Sequence, residues 1–134
     1  MIIVAGPARL KPGALQSHAA AMRRAIEATR REAGCAYYAY GEDVTQQDVI
    51  VALEFWRDEA ALTAHFQTPH MREWIPLLKE IIIDHDVRVI DGQGSVNARA
   101  EGIGQAVALK ADGLVLDAID AAEQASATEG ALKA

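Results

Sequence analysis

The stretch VIVALEFWRDEAALTAHFQTPHM, residues 49–71, decides the fold. Its first eight residues alternate as a strand does, with Val49, Val51, Leu53 and Phe55 pointing one way and Ile50, Ala52, Glu54 and Trp56 the other. An antiparallel sheet with one face in water should carry a polar set on that face. Here both sets are apolar apart from Glu54, so both faces of the sheet need cover. Helices can cover one of them. The simplest cover for the other is the same sheet of a second copy related by a two-fold axis, with sheets packed face to face; the alternative is that the C-terminal tail folds over it. Arg57-Asp58 then ends the strand, and Asp58 predicts a helix N-cap. The helix runs through His65, and Thr68-Pro69 restarts it, with Thr68 as cap and Pro69 as first helical residue. Met71, Trp74, Ile75, Leu78, Ile81 and Ile82 give the second piece its apolar stripe. Pro76 lacks the N–H that would bond the Arg72 carbonyl, which predicts a kink there.

Working outward, IIVAGPAR (2–9) reads as a strand ended by Lys11-Pro12-Gly13. Leu15, Ala19, Met22, Ile26, Thr29 and Ala33 then recur at helical spacing, and Gly34 is the expected terminator. CAYYAYGEDV (35–44) is an aromatic-rich strand turning at Thr45–Asp48 into the strand just described, and DHDVRVID (84–91) is a last strand. The order β-α-β-β-α-β is the ferredoxin-like split unit, an α+β fold with four antiparallel strands and both helices on one face. Residues 1–91 form this domain. Residues 92–134 differ in texture: Gly92, Gly94, Gly102 and Gly104 make a loose entry to an Ala-rich extension, in which a short helix is expected around Ala111–Ala125, packed on the dimer or projecting as an arm.

Length and composition bound the function. At 134 residues, 51% hydrophobic and 24% charged, the chain is a globular domain with a real core. A net charge of −6 with scattered basic residues, clustered only at Arg23-Arg24 and Arg30-Arg31, argues against nucleic-acid binding. No apolar run approaches the roughly 20 residues of a membrane span. MIIVAGPARLKPG lacks a basic start and a long apolar run, so a signal peptide is not expected and the cytoplasm is. One cysteine, Cys35, excludes an internal disulfide and reads as a small buried filler.

The chain holds four histidines, and two of them, His65 and His70, lie in the opening stretch. Glu54 and Trp56 share a strand face, Phe66 adjoins His65, and His70 stands one helical turn before Trp74. Strand end and helix start can converge on a cleft between sheet and helices, which would suit a planar aromatic substrate: indoles stack on the ring, and an imidazole takes a phenolic proton. On residue chemistry alone, Trp56 leans toward plain core. His65 and His70 read equally well as proton-transfer groups or as packed imidazoles on helix flanks. Glu54 on a covered face needs a partner or a function; Arg9 or Arg88 on a neighbouring strand would serve as the partner. His85 and His18 are expected to face solvent. His65 and His70, five apart and split by Pro69, make a poor pair of ligands on one helix face, so no metal and no Gly-rich phosphate loop or serine elbow is expected.

EFWRDEAALTAHFQTPHM resembles the antibiotic biosynthesis monooxygenase family, and within it the small bacterial quinol monooxygenases. The shared signature is a strand ending E-x-W, an acidic capped turn, A-L-x-x-H and T-P-H-M. Lys11-Pro12-Gly13, Glu32-Ala33-Gly34-Cys35 with Tyr38 or Tyr40, and Val87-Arg88-Val89 support it over residues 1–91. The resemblance implies a dimeric α/β barrel, a homodimer, and oxygenation of an electron-rich aromatic with O₂ and no cofactor. It places His65 as the base with His70 its alternate, Trp56 as the stacking surface, and Phe66 and Trp74 as walls around a site that includes Glu54. Related haem-degrading members are expected to carry an asparagine where this chain has Ala8, before Arg9-Leu10, which weakens a haem-degrading alternative. A dimeric ligand-binding or stress-associated module of the same fold, without catalysis, is the other alternative.

Overall fold

The computed structural model describes residues 1–91, the backbone of 111–114, and residues 119–125 and 127. Strand β1 (Ile2–Leu10) leads through the short helix α1 (Ala14–Ser17) into α2 (Ala19–Thr29), followed by β2 (Cys35–Glu42) and β3 (Val49–Trp56). Then come α3 (Glu59–Phe66), α4 (Pro69–Ile81), β4 (Ile82–His85), β5 (Arg88–Asp91) and β6 (Ala111–Leu114). A final helix, α5, occupies 119–125. The sheet order is β2-β3-β1-β5-β6, all neighbours antiparallel, with β4 also paired to β1. Taking β4 and β5 as one split strand, this is the ferredoxin-like α+β arrangement.

Local chemistry explains the boundaries. Asp58 caps α3 as expected, its carboxylate accepting from the Ala61 N–H at 2.8 Å. Thr68 occupies the N-cap of α4, but its hydroxyl turns back and donates to the His65 carbonyl (2.7 Å) instead of bonding the helix. Helix α4 continues across Pro76 to Ile81. The first helix is broken at His18, whose φ of −107° and ψ of 6° are not helical. It ends at Thr29, not at Gly34: residues 30–34 form a turn, and Gly34 serves close packing instead. A Cβ there would lie 2.3 Å from the Ala61 Cβ of α3. The last strand is split because it crosses Gly6. With φ at +143°, Gly6 lets the chain pass so closely that a Cβ would stand 2.1 Å from the Asp86 carbonyl oxygen.

The helix-side face of the sheet holds the core: Ile50, Ala52 and Trp56 on β3, Val4, Ala8 and Leu10 on β1, Tyr38 on β2 and Val89 on β5, packed with Met22, Leu62, Phe66, Met71, Trp74 and Ile75. On the other face Tyr37, Val51 and Leu53 are exposed, at 48%, 40% and 37%. Register places Leu53 between Ala5 and Ala39, and Phe55 between Ile3 and Tyr37. The β2–β3 part of this face is apolar, and the Arg9–Asp84 and Arg88–Asp86 pairs border it.

The extension departs from the expected helix over 111–125. Residues 111–114 form strand β6 on the edge of β5, and helix is described over 119–125. Helix α5 packs on the helical layer: Ile119 is buried in the core, the Ala122 carbonyl accepts from Gln67 (3.4 Å), and Asp120 and Glu123 flank Lys79 at 3.0 and 3.6 Å. It therefore does not lie over the apolar sheet face. Cys35 is partly exposed at the start of β2 and not the buried filler expected. No helix among the described residues is long and apolar enough to cross a membrane.

Candidate functional site

The turn 30–34 carries Glu32 under the helices, and the C-terminus of α3 and the N-terminus of α4 bring His65 and His70 to meet it. His65 Nδ1 lies 2.7 Å and His70 Nε2 lies 2.9 Å from the same oxygen, Glu32 Oε2. Burial alone would raise the Glu32 pKa. The two imidazoles outweigh it and hold the carboxyl below its ordinary value. An ionised carboxylate only accepts, so His65 donates from Nδ1 and His70 from Nε2. Thr68 Oγ1 stands 3.2 Å from His70 Nε2 and steadies that ring. The expected objection to pairing these histidines fails here, because they sit on two helices meeting at Thr68-Pro69 and not on one helix face.

Aromatic rings enclose His65, which is 1% exposed. Its ring centroid is 4.5 Å from Trp56, 5.5 Å from Tyr38 and 5.5 Å from Phe66. Burial is the main influence on its pKa and lowers it, with Glu32 opposing. The buried imidazole is thus neutral at neutral pH, with Nδ1–H tied to a carboxylate and Nε2 left as the acceptor. Trp56 is completely buried. Its ring packs directly on His65, so no slot stands open between these two.

Glu54 is buried beside them and finds its partner two residues along its own strand: the Trp56 indole N–H donates to Oε1 at 3.0 Å. Neither expected arginine reaches it. Arg9 pairs with Asp84, and Arg88 with Asp86, because both side chains fall on the opposite face. With no cation at hand among the described residues, burial pushes the Glu54 carboxyl up to about 8, against the lowering effect of the Trp56 bond. It is a neutral acid at pH 7.

The sequence reading missed the role of two tyrosines. Tyr38 and Tyr40 share the helix-side face of β2, and their hydroxyls are 2.7 Å apart. Burial first, and Glu54 second, raise both phenol pKa values. Spacing i, i+2 on a strand was the available signal. Trp74 is 2% exposed; its Nε1 has no acceptor in bonding geometry among the described residues, yet it lies close enough to the Tyr40 hydroxyl to lower its pKa. Tyr40 is also the inner wall of a groove of about 1310 Å³ between α1–α2 and the β2–β3 turn, lined by Leu15, Met22, Ile26 and Ile50 and edged by Arg23 and Arg30. His70 and Trp74 border a second, smaller cavity of about 170 Å³ against α2. Glu54, Trp56, His65, Phe66 and Trp74 therefore converge in one buried layer, with His70 at its edge. His85 and His18 lie elsewhere, both half-buried, in local contacts with the Val87 N–H and with Ser17 and the Ala14 carbonyl.

Residues 1–77 match the family model described as "Antibiotic biosynthesis monooxygenase". The chain belongs to this family. Among its relatives, an uncharacterised Synechocystis protein, sll1783, is 39% identical over 74 residues, covering 55% of this chain and 50% of that protein; the chain thus spans half the length of that relative. The Escherichia coli protein named "Probable quinol monooxygenase YgiN" is 29% identical over 102 residues, covering 67% of this chain and 96% of that one. A solved structure titled as an antibiotic biosynthesis monooxygenase superposes with a TM-score of 0.63 at 30% identity, over 68% of this chain and 97% of that one. A conserved Methanosarcina mazei protein superposes with a TM-score of 0.61 at 28% identity, over 66% and 88%. The family match ends before β4, so the extension with β6 and α5 stands outside it.

Proposed function

We propose that this member oxidises an electron-rich aromatic, such as a quinol, with O₂ and without a cofactor. The observation that carries the reading is the Glu32–His65 contact: a carboxylate holds one nitrogen of a buried neutral imidazole, and the other nitrogen accepts a proton inside an aromatic layer. Deprotonating a quinol gives an anion electron-rich enough to reduce O₂ directly. Two electrons and two protons leave the quinol, and O₂ accepts them as H₂O₂. A phenol with a free para C–H would instead gain one oxygen atom and release water.

The substrate ring occupies the groove against Leu15, Met22 and Tyr40, because Trp56 and His65 are sealed. Its hydroxyl meets Tyr40, and the paired Tyr40 and Tyr38 hydroxyls hand the proton inward to His65, with His70 as the alternate base at the layer's edge. The Trp74 N–H, beside the Tyr40 hydroxyl, steadies that oxygen as charge develops on it. Trp56, Phe66 and Glu54 hold the imidazole in place and keep the layer dry. A second copy covers the apolar sheet face of Tyr37, Val51, Leu53 and Phe55, giving a two-fold dimeric barrel. A small aromatic, O₂ and this second copy are the partners, in the cytoplasm.

The test is O₂ consumption by metal- and flavin-free protein over a quinol panel. Wild type turns over, His65→Ala does not, and Tyr38→Phe is slowed while ligand binding persists. One observation favours a second reading: the sealed Trp56–His65 layer also suits a module whose groove binds an aromatic without converting it. Saturable binding of a quinol with no O₂ uptake would establish that reading and end the first.

A further inference from the structure

We propose that Glu32, His65 and His70 form a binding site for a divalent transition-metal ion of the zinc class. Two imidazole nitrogens and one carboxylate oxygen converge, all three within 4.8 Å of one another, and each comes from a different element: the turn after α2, the end of α3 and the start of α4. Two nitrogens and a carboxylate oxygen are a zinc-type donor set.

The dimensions fit an ion with a small adjustment. Zinc bonds such donors at about 2.1 Å, which in a tetrahedral arrangement spaces them about 3.4 Å apart. Glu32 Oε2 is now 2.7 and 2.9 Å from the two nitrogens, so these two separations open by about 0.6 Å on average, while the two nitrogens, within 4.8 Å of one another, draw in toward the same spacing. The groups that move are those with room: the Glu32 and His70 side chains are 16% and 22% exposed, while His65 at 1% is the fixed anchor. That same exposed edge admits the ion and leaves a place for water as fourth ligand.

Binding would change the chemistry of His65. In the hydrogen-bonded form Nδ1 carries the proton and Nε2 is the acceptor. When Nδ1 ligates a metal, the neutral ring must carry its proton on Nε2, and the acceptor is gone. Metal occupancy and base action exclude each other, so zinc acts as an inhibitor. This consequence rests on the proposed oxidation; the binding does not.

The experiment titrates the full-length, chelator-stripped protein with Co²⁺, read by the visible absorption of a tetrahedral ion, and with Zn²⁺, read by calorimetry. One equivalent per chain saturates both. Glu32→Gln and His70→Ala change partly exposed residues, and circular dichroism confirms their fold. Each should weaken Zn²⁺ by more than the roughly 10–100-fold that losing a mere outer partner costs. His85→Ala, outside the cluster, leaves binding intact. No tetrahedral Co²⁺ spectrum and no Zn²⁺ heat would overturn the site, as would unchanged binding in both cluster variants. O₂ uptake with a quinol is measured separately: its absence in metal-free protein refutes the oxidation, while its survival at saturating Zn²⁺ refutes the inhibition.

Discussion

Replacing Glu54 by Gln tests the electrostatics of the buried layer. The carboxyl rises from an ordinary 4.5 to about 8 because it is buried without a cation. Between those values the folded protein holds a proton that the unfolded chain has released. Stability must therefore fall as pH rises through this window, by about 1.4 kcal/mol per pH unit for one proton, and level off above about 8. Over the full window this amounts to about 5 kcal/mol, a large fraction of a typical domain's 5–15 kcal/mol. Gln keeps the oxygen that accepts from the Trp56 N–H but cannot ionise. Urea unfolding of both proteins at pH 5, 6, 7 and 8 gives the difference profile, in which the other titrating groups largely cancel. The wild type should lose about 3.5 kcal/mol relative to Glu54→Gln from pH 5 to pH 8. Parallel profiles would refute the reasoning and mean that Glu54 ionises normally in the folded state.

Because burial lowers the His65 pKa, turnover should hold below the ordinary imidazole range and be lost only as pH falls through that depressed value; an acid limb at or above 6.5 in the pH–rate profile would contradict a buried base. His65→Ala should reduce quinol-dependent O₂ uptake about 10²–10⁴-fold, the usual worth of a positioned base, in an oxygen-electrode assay. Gly34→Ala forces a Cβ against Ala61 at 2.3 Å and should cost about 1–3 kcal/mol in a denaturant melt. Leu53→Glu, at the centre of the apolar sheet face, should shift the solution mass by light scattering from twice 14.4 kDa to 14.4 kDa; an unchanged mass would place the subunit contact elsewhere.

What the sequence made legible was local. The alternation over 49–56, the Asp58 cap and the Thr68-Pro69 boundary each depend on residues within a turn or two, and each falls where its pattern predicts. The misreadings involve residues distant in sequence. Glu32 meets His65 and His70 across 33 and 38 residues, and no spacing rule joins them. The last strand is split where it passes Gly6 on β1, and the turn after the early end of α2 brings Gly34 against Ala61. Glu54 is the instructive case: its partner Trp56 was visible as the next residue on the same strand face, but charge pairing drew attention to arginines on the other side of the sheet.

The central claim is proton removal by a carboxylate-oriented imidazole followed by direct reduction of O₂. The most direct measurement is quinol-dependent O₂ consumption by protein stripped of metal and flavin, compared between wild type, His65→Ala and Glu32→Gln at matched fold content. The account predicts one quinone formed per O₂ consumed in the wild type, near-complete loss in His65→Ala, and an intermediate rate in Glu32→Gln. Equal rates in all three proteins would contradict it.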